Sequence, residues 1–254
     1  MRRSRVVLSA LALAGLGFVS TVAGGAGIEK LFAKPPGEKS VAYEYLGYSG
    51  VVVCTAKGTV VIDPGRLLTP EEMQTLAARK VSVVLFTHAH GDHFDRAAAA
   101  RLVAEAGATV VAAPAVAKAL EGLPPGRVIT AEPGRVVEVG GLSITPIQGR
   151  HIGPIMLFQV KAGGVTLFHG GDSAHVPLGD FPADVAFLPA GRPSPTASPG
   201  DALSMALDVK PRAVVVMHAS PGQSRELERD IRTRLPGTVV RIPAEHRAYA
   251  VVLR

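Results

Sequence analysis

Thr87-His88-Ala89-His90-Gly91-Asp92-His93 follows directly on the apolar run Val81-Ser82-Val83-Val84-Leu85-Phe86. The run predicts a buried strand, and the polar heptad reads as a metal site mounted on its end. Extended backbone sends residues i and i+2 to the same side. His88 and His90 can therefore converge on one ion while Asp92 and His93 face a second position just beyond. Imidazole together with carboxylate suits zinc and its neighbours. Three imidazoles crowded at an apolar strand end would repel one another when protonated, which disfavours an ordinary surface loop.

Outward from this stretch, the chain is large enough to bury a substantial core. Its 254 residues, 47% of them hydrophobic, suit one α/β or α+β domain. The formal charge of +6 is inflated by Arg2, Arg3 and Arg5; without these three, the 27 basic residues fall to 24 against 21 acidic ones, a net +3. With no basic runs and no Trp, no nucleic-acid partner is expected. The lone Cys54 excludes an intrachain disulfide, and its place in Gly50-Val51-Val52-Val53-Cys54-Thr55 predicts a buried strand thiol.

Met1-Arg2-Arg3-Ser4-Arg5 and the uncharged stretch 6–23 predict a signal peptide or N-terminal membrane anchor over residues 1–26. The protein is accordingly expected to be exported, either periplasmic or membrane-anchored and facing the periplasm or exterior. Membrane contact is expected only through that segment if it stays uncleaved. Arg2-Arg3 hints weakly at twin-arginine export. Residues 27–40, with Pro35-Pro36-Gly37, read as a linker or short helix, and residues 41–254 as the catalytic domain.

Residues 41–46, 50–55 and 58–62 predict short strands, the third ended by Asp63-Pro64-Gly65. Asp63 is either a turn-former or a carboxylate that orients a metal-bound imidazole from the neighbouring strand end. Thr69-Pro70-Glu71-Glu72 is a helix start with cap, proline and early acids, and Asp95 can cap an alanine-rich helix over 96–106. Hairpin-rich segments interleaved with helices predict an α+β fold of two sheets packed face to face with helices outside.

Three later residues are candidate ligands. His151 follows a strand and sits between glycines in Gln148-Gly149-Arg150-His151-Ile152-Gly153, so its side chain can reach out from a loop. Asp172, in His169-Gly170-Gly171-Asp172-Ser173, lies at a strand end, and a carboxylate can bridge two ions. His218 terminates the apolar strand 213–217, the same construction as His88.

The ordered set His88-x-His90-x-Asp92-His93, then His151, then Gly171-Asp172, then Met217-His218 resembles the metallo-β-lactamase superfamily, especially its lactonase-like and uncharacterised metal-dependent hydrolase branches. The resemblance covers most of residues 41–253. It implies a four-layer αβ/βα sandwich of two mixed β-sheets with the site at the sheet edges. His88, His90 and His151 would then hold one metal, Asp92, His93 and His218 the other, and Asp172 would bridge them. Asp63 matches the strand-end Asp-Pro-Gly often present in these proteins. The di-iron redox branch has Glu where this chain has His90, so that chemistry is disfavoured.

These readings predict an exported dinuclear hydrolase using a metal-bridging hydroxide on an ester, lactone or phosphodiester. Zinc is the expected metal pair, with manganese or iron as alternatives. Two divalent ions with two aspartates leave positive charge, which suits a small-molecule or lipid-like anionic substrate. Asp92 and Asp172 are the catalytic candidates, Asp92 orienting the hydroxide. Arg150 and Arg192 are candidate anion contacts, although either can equally be a solvated arginine. His169 reads as fixing the Asp172 loop, His175 as a proton-transfer candidate, and His246 as surface. The rival readings are a mononuclear iron dioxygenase of sulfur compounds and a metal-stabilised binding module without turnover.

Overall fold

The structure, a computed structural model, describes residues 19–20 and 27–253. The leader expected over 1–26 lies, apart from Val19 and Ser20, outside the described residues. No helix among the described residues is long and apolar enough to cross a membrane. The chain runs β1 (Val19–Ser20), α1 (Gly27–Ala33), β2 (Ser40–Gly47), β3 (Gly50–Thr55), β4 (Thr59–Ile62), α2 (Pro70–Arg79), β5 (Val83–Phe86), α3 (Arg96–Ala104), β6 (Thr109–Ala112), α4 (Pro114–Ala119) and β7 (Val128–Thr130). It continues through β8 (Val137–Val139), β9 (Leu142–Gln148), β10 (Met156–Ala162), β11 (Val165–His169), β12 (Val185–Pro189), α5 (Pro199–Val209), β13 (Ala213–Met217), α6 (Pro221–Arg234), β14 (Val239–Arg241) and β15 (Arg247–Val252).

Two mixed sheets result. One has the order β1-β15-β2-β3-β4-β5-β6-β7 and the other β14-β13-β12-β11-β10-β9-β8. The β4 to β7 strands are parallel, as are β11 to β14, and the remaining pairs are antiparallel.

Why the strands read as unbroken apolar runs follows from this layering. Val51, Val53, Val60, Ile62, Val83 and Leu85 enter the core between the sheets, where they join Phe158, Leu167, Phe187 and Val215. Their alternates Val52, Cys54, Val61, Val84 and Phe86 turn outward beneath the helices of the first sheet. A third cluster packs α5 and α6, through Met205 and Leu227, onto Leu188 and Val216. Strands covered on both faces have no solvent side on which to place polar residues. Each fully buried Leu, Val or Phe contributes roughly 1.5–3 kcal/mol.

Helix ends behave as their sequences dictate. In α2, Thr69 and Glu72 form a complete capping box, and Asp95 accepts from Ala98 N–H at the start of α3. The α3 helix stops at Ala104 rather than 106, and Gly107 takes a left-handed φ of 74° beyond it. Of the two readings for residues 27–40, the short helix is present: α1 buries Ile28 and Leu31 against the first sheet.

Candidate metal centre

Strand direction places the site. The C-terminal ends of β4 and β5 point the same way in one sheet, and those of β11 and β13 in the other. Asp63, Thr87 to His93, Asp172 and His218 all lie just past these four ends, where open α/β sheets present their ligand-binding groups. His151 enters from the loop after β9.

All seven side chains proposed as ligands come together. His88, His90 and His151 offer donor atoms within 4.8 Å of one another, and so do Asp92, His93, Asp172 and His218. The two groups adjoin, with ring centroids of His88 and His93 4.1 Å apart. His90 Nδ1 faces His151 Nε2 at 3.3 Å. Asp172 brings Oδ1 to 3.2 Å from His93 Nε2 and Oδ2 to 3.0 Å from His218 Nε2. Asp92 Oδ2 lies 3.6 and 3.5 Å from the same two nitrogens.

The remaining hydrogen bonds set which ring nitrogen is free. Asp63, fully buried, accepts from Thr87 N–H (2.8 Å), from the Thr87 hydroxyl (2.5 Å) and from His93 Nδ1 (2.8 Å). Because that hydroxyl donates to Asp63, it accepts from His88 Nδ1 at 3.0 Å. The Thr196 hydroxyl likewise donates to Asp172 O (2.8 Å) and accepts from His151 Nδ1 (2.7 Å). In His88 and His151 the proton therefore sits on Nδ1 and the Nε2 lone pair is left for a ligand, while His93 gives its Nδ1–H to Asp63 and turns Nε2 toward the same cluster.

His218 is held differently. Its Nδ1 accepts Ser194 N–H at 3.2 Å, which puts the ring proton on Nε2. A cation at that nitrogen has to displace the proton and release the Ser194 contact.

The donor set fits a metal. Among the described residues, Nε2 of His88, His93 and His218 is buried without a hydrogen-bond partner. A buried polar atom left unpaired costs about 1–3 kcal/mol, and a cation relieves that cost. Charge agrees. Burial, helped by neighbouring His93, lowers His88 to about 3, so its ring is neutral. Burial would also lower His93, but Asp63 and Asp172 outweigh it and raise the ring to about 10. Asp172 is held well below the ordinary carboxylate range: burial opposes this, but the His218 and His93 rings that face its two oxygens at 3.0 and 3.2 Å overcome it.

His169 fixes the Asp172 loop, as its position suggests. Its Nε2 donates to Ser49 O (2.9 Å) and its Nδ1 accepts Gly171 N–H (3.2 Å), while the Ser49 hydroxyl reaches Asp172 Oδ1 at 3.0 Å. His175 instead turns to Asp208 at 2.9 Å. The Arg150 side chain is 67% exposed and lies 3.8 Å from Asp201. Arg192 is exposed, with its backbone N–H on Gln223.

Ser49, Thr87, Ser194 and Thr196 were not among the residues singled out from sequence. Ser194 and Thr196, in the proline-rich loop before α5, brace the donors from behind. Thr196→Val removes the acceptor that orients His151. Metal affinity at the His88, His90 and His151 position should fall about 10- to 100-fold, read by calorimetric titration.

Comparisons with known proteins agree with this geometry. The family described as "Beta-lactamase superfamily domain" matches residues 59–219. A UPF0173 metal-dependent hydrolase of Thermus thermophilus is 32% identical over 192 residues, covering 70% of this chain and 83% of its own. Among solved structures, the metallo hydrolase Igni18 of Ignicoccus hospitalis has a TM-score of 0.71 at 22% identity, covering 85% of this chain and all of its own. The metallo-β-lactamase fold protein YhfI of Bacillus subtilis has a TM-score of 0.67 at 15% identity, covering 84% of this chain and all of its own. With two mixed sheets between helix layers and donors gathered at the sheet edge, this chain belongs to the metallo-β-lactamase superfamily, among its metal-dependent hydrolases.

Proposed function

We propose that the chain is an exported dinuclear metallohydrolase that cleaves an ester, lactone or phosphodiester of an anionic substrate. The observation that carries this reading is the gathering of seven donor side chains into two adjoining groups, with three buried Nε2 atoms lacking partners. Divalent ions bound there, zinc first and manganese or iron otherwise, would acidify water and polarise the scissile oxygen. His88, His90 and His151 would hold one ion and Asp92, His93 and His218 the other, with Asp172 between them. Asp92 is a third exposed and faces the open side, where it can orient the attacking water. Asp172 is too enclosed for that task and serves to hold the donors together.

Substrate class follows from the rim. Two divalent ions with two aspartates leave a charge of +2, and the exposed Arg150 and Arg192 add to it. Tyr48, 42% exposed, leans on His218 with ring centroids 5.6 Å apart, and Ile152, 64% exposed, directly follows His151. Cations beside exposed apolar side chains suit a substrate with both an anionic and an apolar part. The basic, then uncharged N-terminal sequence supports export, and the charge pattern gives no support for nucleic acid.

Purified chain loaded with Zn2+ should turn over at least one member of a panel of lactones, thioesters and phosphodiesters. Metal analysis should give two ions at the strand-edge centre. The His88, His90 and His151 position should fill first, because Nε2 of the neutral His88 ring is already free while His218 must give up a proton. No turnover across the panel, or a single iron with oxygen consumption, would overturn this reading.

A further inference from the structure

Away from the strand-edge centre, a second buried cluster joins three distant parts of the chain. Glu44 of β2, Glu72 of α2 and His246 before β15 each offer a donor atom, all within 4.8 Å of one another. Glu44 points away from the inter-sheet core, since Tyr43 and Tyr45 on either side enter that core. It is 0% exposed, and neither of its carboxylate oxygens has a hydrogen-bond partner among the described residues. Glu72 is 6% exposed; its Oε2 accepts Thr69 N–H at 2.8 Å. Its Oε1 lies 2.7 Å from His246 Nδ1, which is 3.9 Å from Glu44 Oε1.

We propose that Glu44, Glu72 and His246 form a structural divalent-cation site, separate from the strand-edge centre. Two buried carboxylates side by side cannot both stay charged unless something positive lies between them, and a carboxylate with both oxygens unpaired is the expensive member. One divalent ion with two carboxylates and a neutral imidazole sums to zero charge. It also gives the Glu44 carboxylate a positive partner in place of a proton shared with Glu72. Two oxygens and one imidazole nitrogen form a set that zinc and its neighbours accept.

The surroundings fit this assignment. A methyl group at Gly27, the first residue of α1, would collide with the Glu44 carboxylate, so glycine lets the chain close over it. His246 holds a left-handed φ of 53°, which turns its ring back toward α2. With 39% of its side chain exposed, it leaves an entry path. Burial, then the neighbouring Glu72, raises the Glu44 carboxyl to about 9, as expected for a carboxylate without a counter-charge. Seating the ion opens the 2.7 Å contact of His246 with Glu72 and replaces it with two bonds to the metal. It would tie α2 and the start of β15 to β2, beneath α1.

The full-length chain, loaded with Zn2+ or separately with Mn2+ and then desalted, is compared by elemental analysis with Glu44→Gln and His246→Ala. Each variant should hold about one equivalent less than the parent. The parent should also gain thermal stability on adding the last equivalent, a gain both variants lose. The difference between chains is the readout, so it stands whether the strand-edge centre takes one ion or two. His246 lies at the rim, and its variant should fold even if Glu44→Gln does not. Equal metal content in the parent and His246→Ala, with both probes, would overturn the proposal. It would mean that a proton alone joins the two carboxylates.

Discussion

Asp172→Ala should lower kcat/KM on any substrate the enzyme hydrolyses by about 10³-fold, equivalent to about 4 kcal/mol of transition-state stabilisation. Its two oxygens lie 3.2 and 3.0 Å from Nε2 of His93 and His218, so one truncation withdraws the anion shared by both rings. The variant should also bind metal less tightly. His90→Ala makes the companion test at the other end of the site, since it leaves Asp172 intact and removes a nitrogen 3.3 Å from His151. Steady-state kinetics with metal content measured on the same samples separate a lost ion from a lost orientation. Full activity in both variants would refute the proposed centre.

Asp63→Ala should be the most destabilising single change near the site. Three bonds end on this buried carboxylate, from Thr87 N–H, the Thr87 hydroxyl and His93. Removing it leaves His93 as a buried cation without its main counter-charge, a loss of about 3–5 kcal/mol. Asp63→Asn should cost less, because asparagine tolerates the left-handed φ of 45° found here and keeps one acceptor oxygen.

The acid limb provides a second measure. Burial pushes the Asp63 pKa up, but His93 overrides it and holds it below the ordinary 3.8. A carboxylate depressed in the folded state contributes stability that is complete above about pH 4 and is lost as pH falls toward the folded value. Denaturant titrations of Asp63→Asn should therefore show a shallower loss of stability below pH 4 than the parent. An identical slope would mean that Asp63 is not the group being protonated.

The donors were legible in the sequence because each follows an apolar strand, where a polar residue has few other reasons to stand. The groups behind them were not. Ser49 meets Asp172 across 123 positions, and Thr196 meets His151 across 45, and nothing in a serine or threonine within a turn announces such a partner. Two sheets packed face to face could be read from hairpins mixed with helices. The α1 helix was one of two readings for residues 27–40, because its seven residues make a weak periodic signal beside Pro35-Pro36-Gly37. His246 was read as surface because its neighbours are polar; only the return of β15 alongside β2 brings it to Glu72. Glu44 was hidden inside an otherwise ordinary strand pattern, and its burial depends on α1 and α2 covering the outer face of the sheet.

Asp63 braces His93 directly and His88 through the Thr87 hydroxyl, so rings from both donor groups rest on a single anchor. If each group holds an ion as proposed, a change of radius in one position would tilt the ring opposite as well. Preference for one element over another would then be set jointly by the two positions, and altering it would need matched changes on both sides of Thr87.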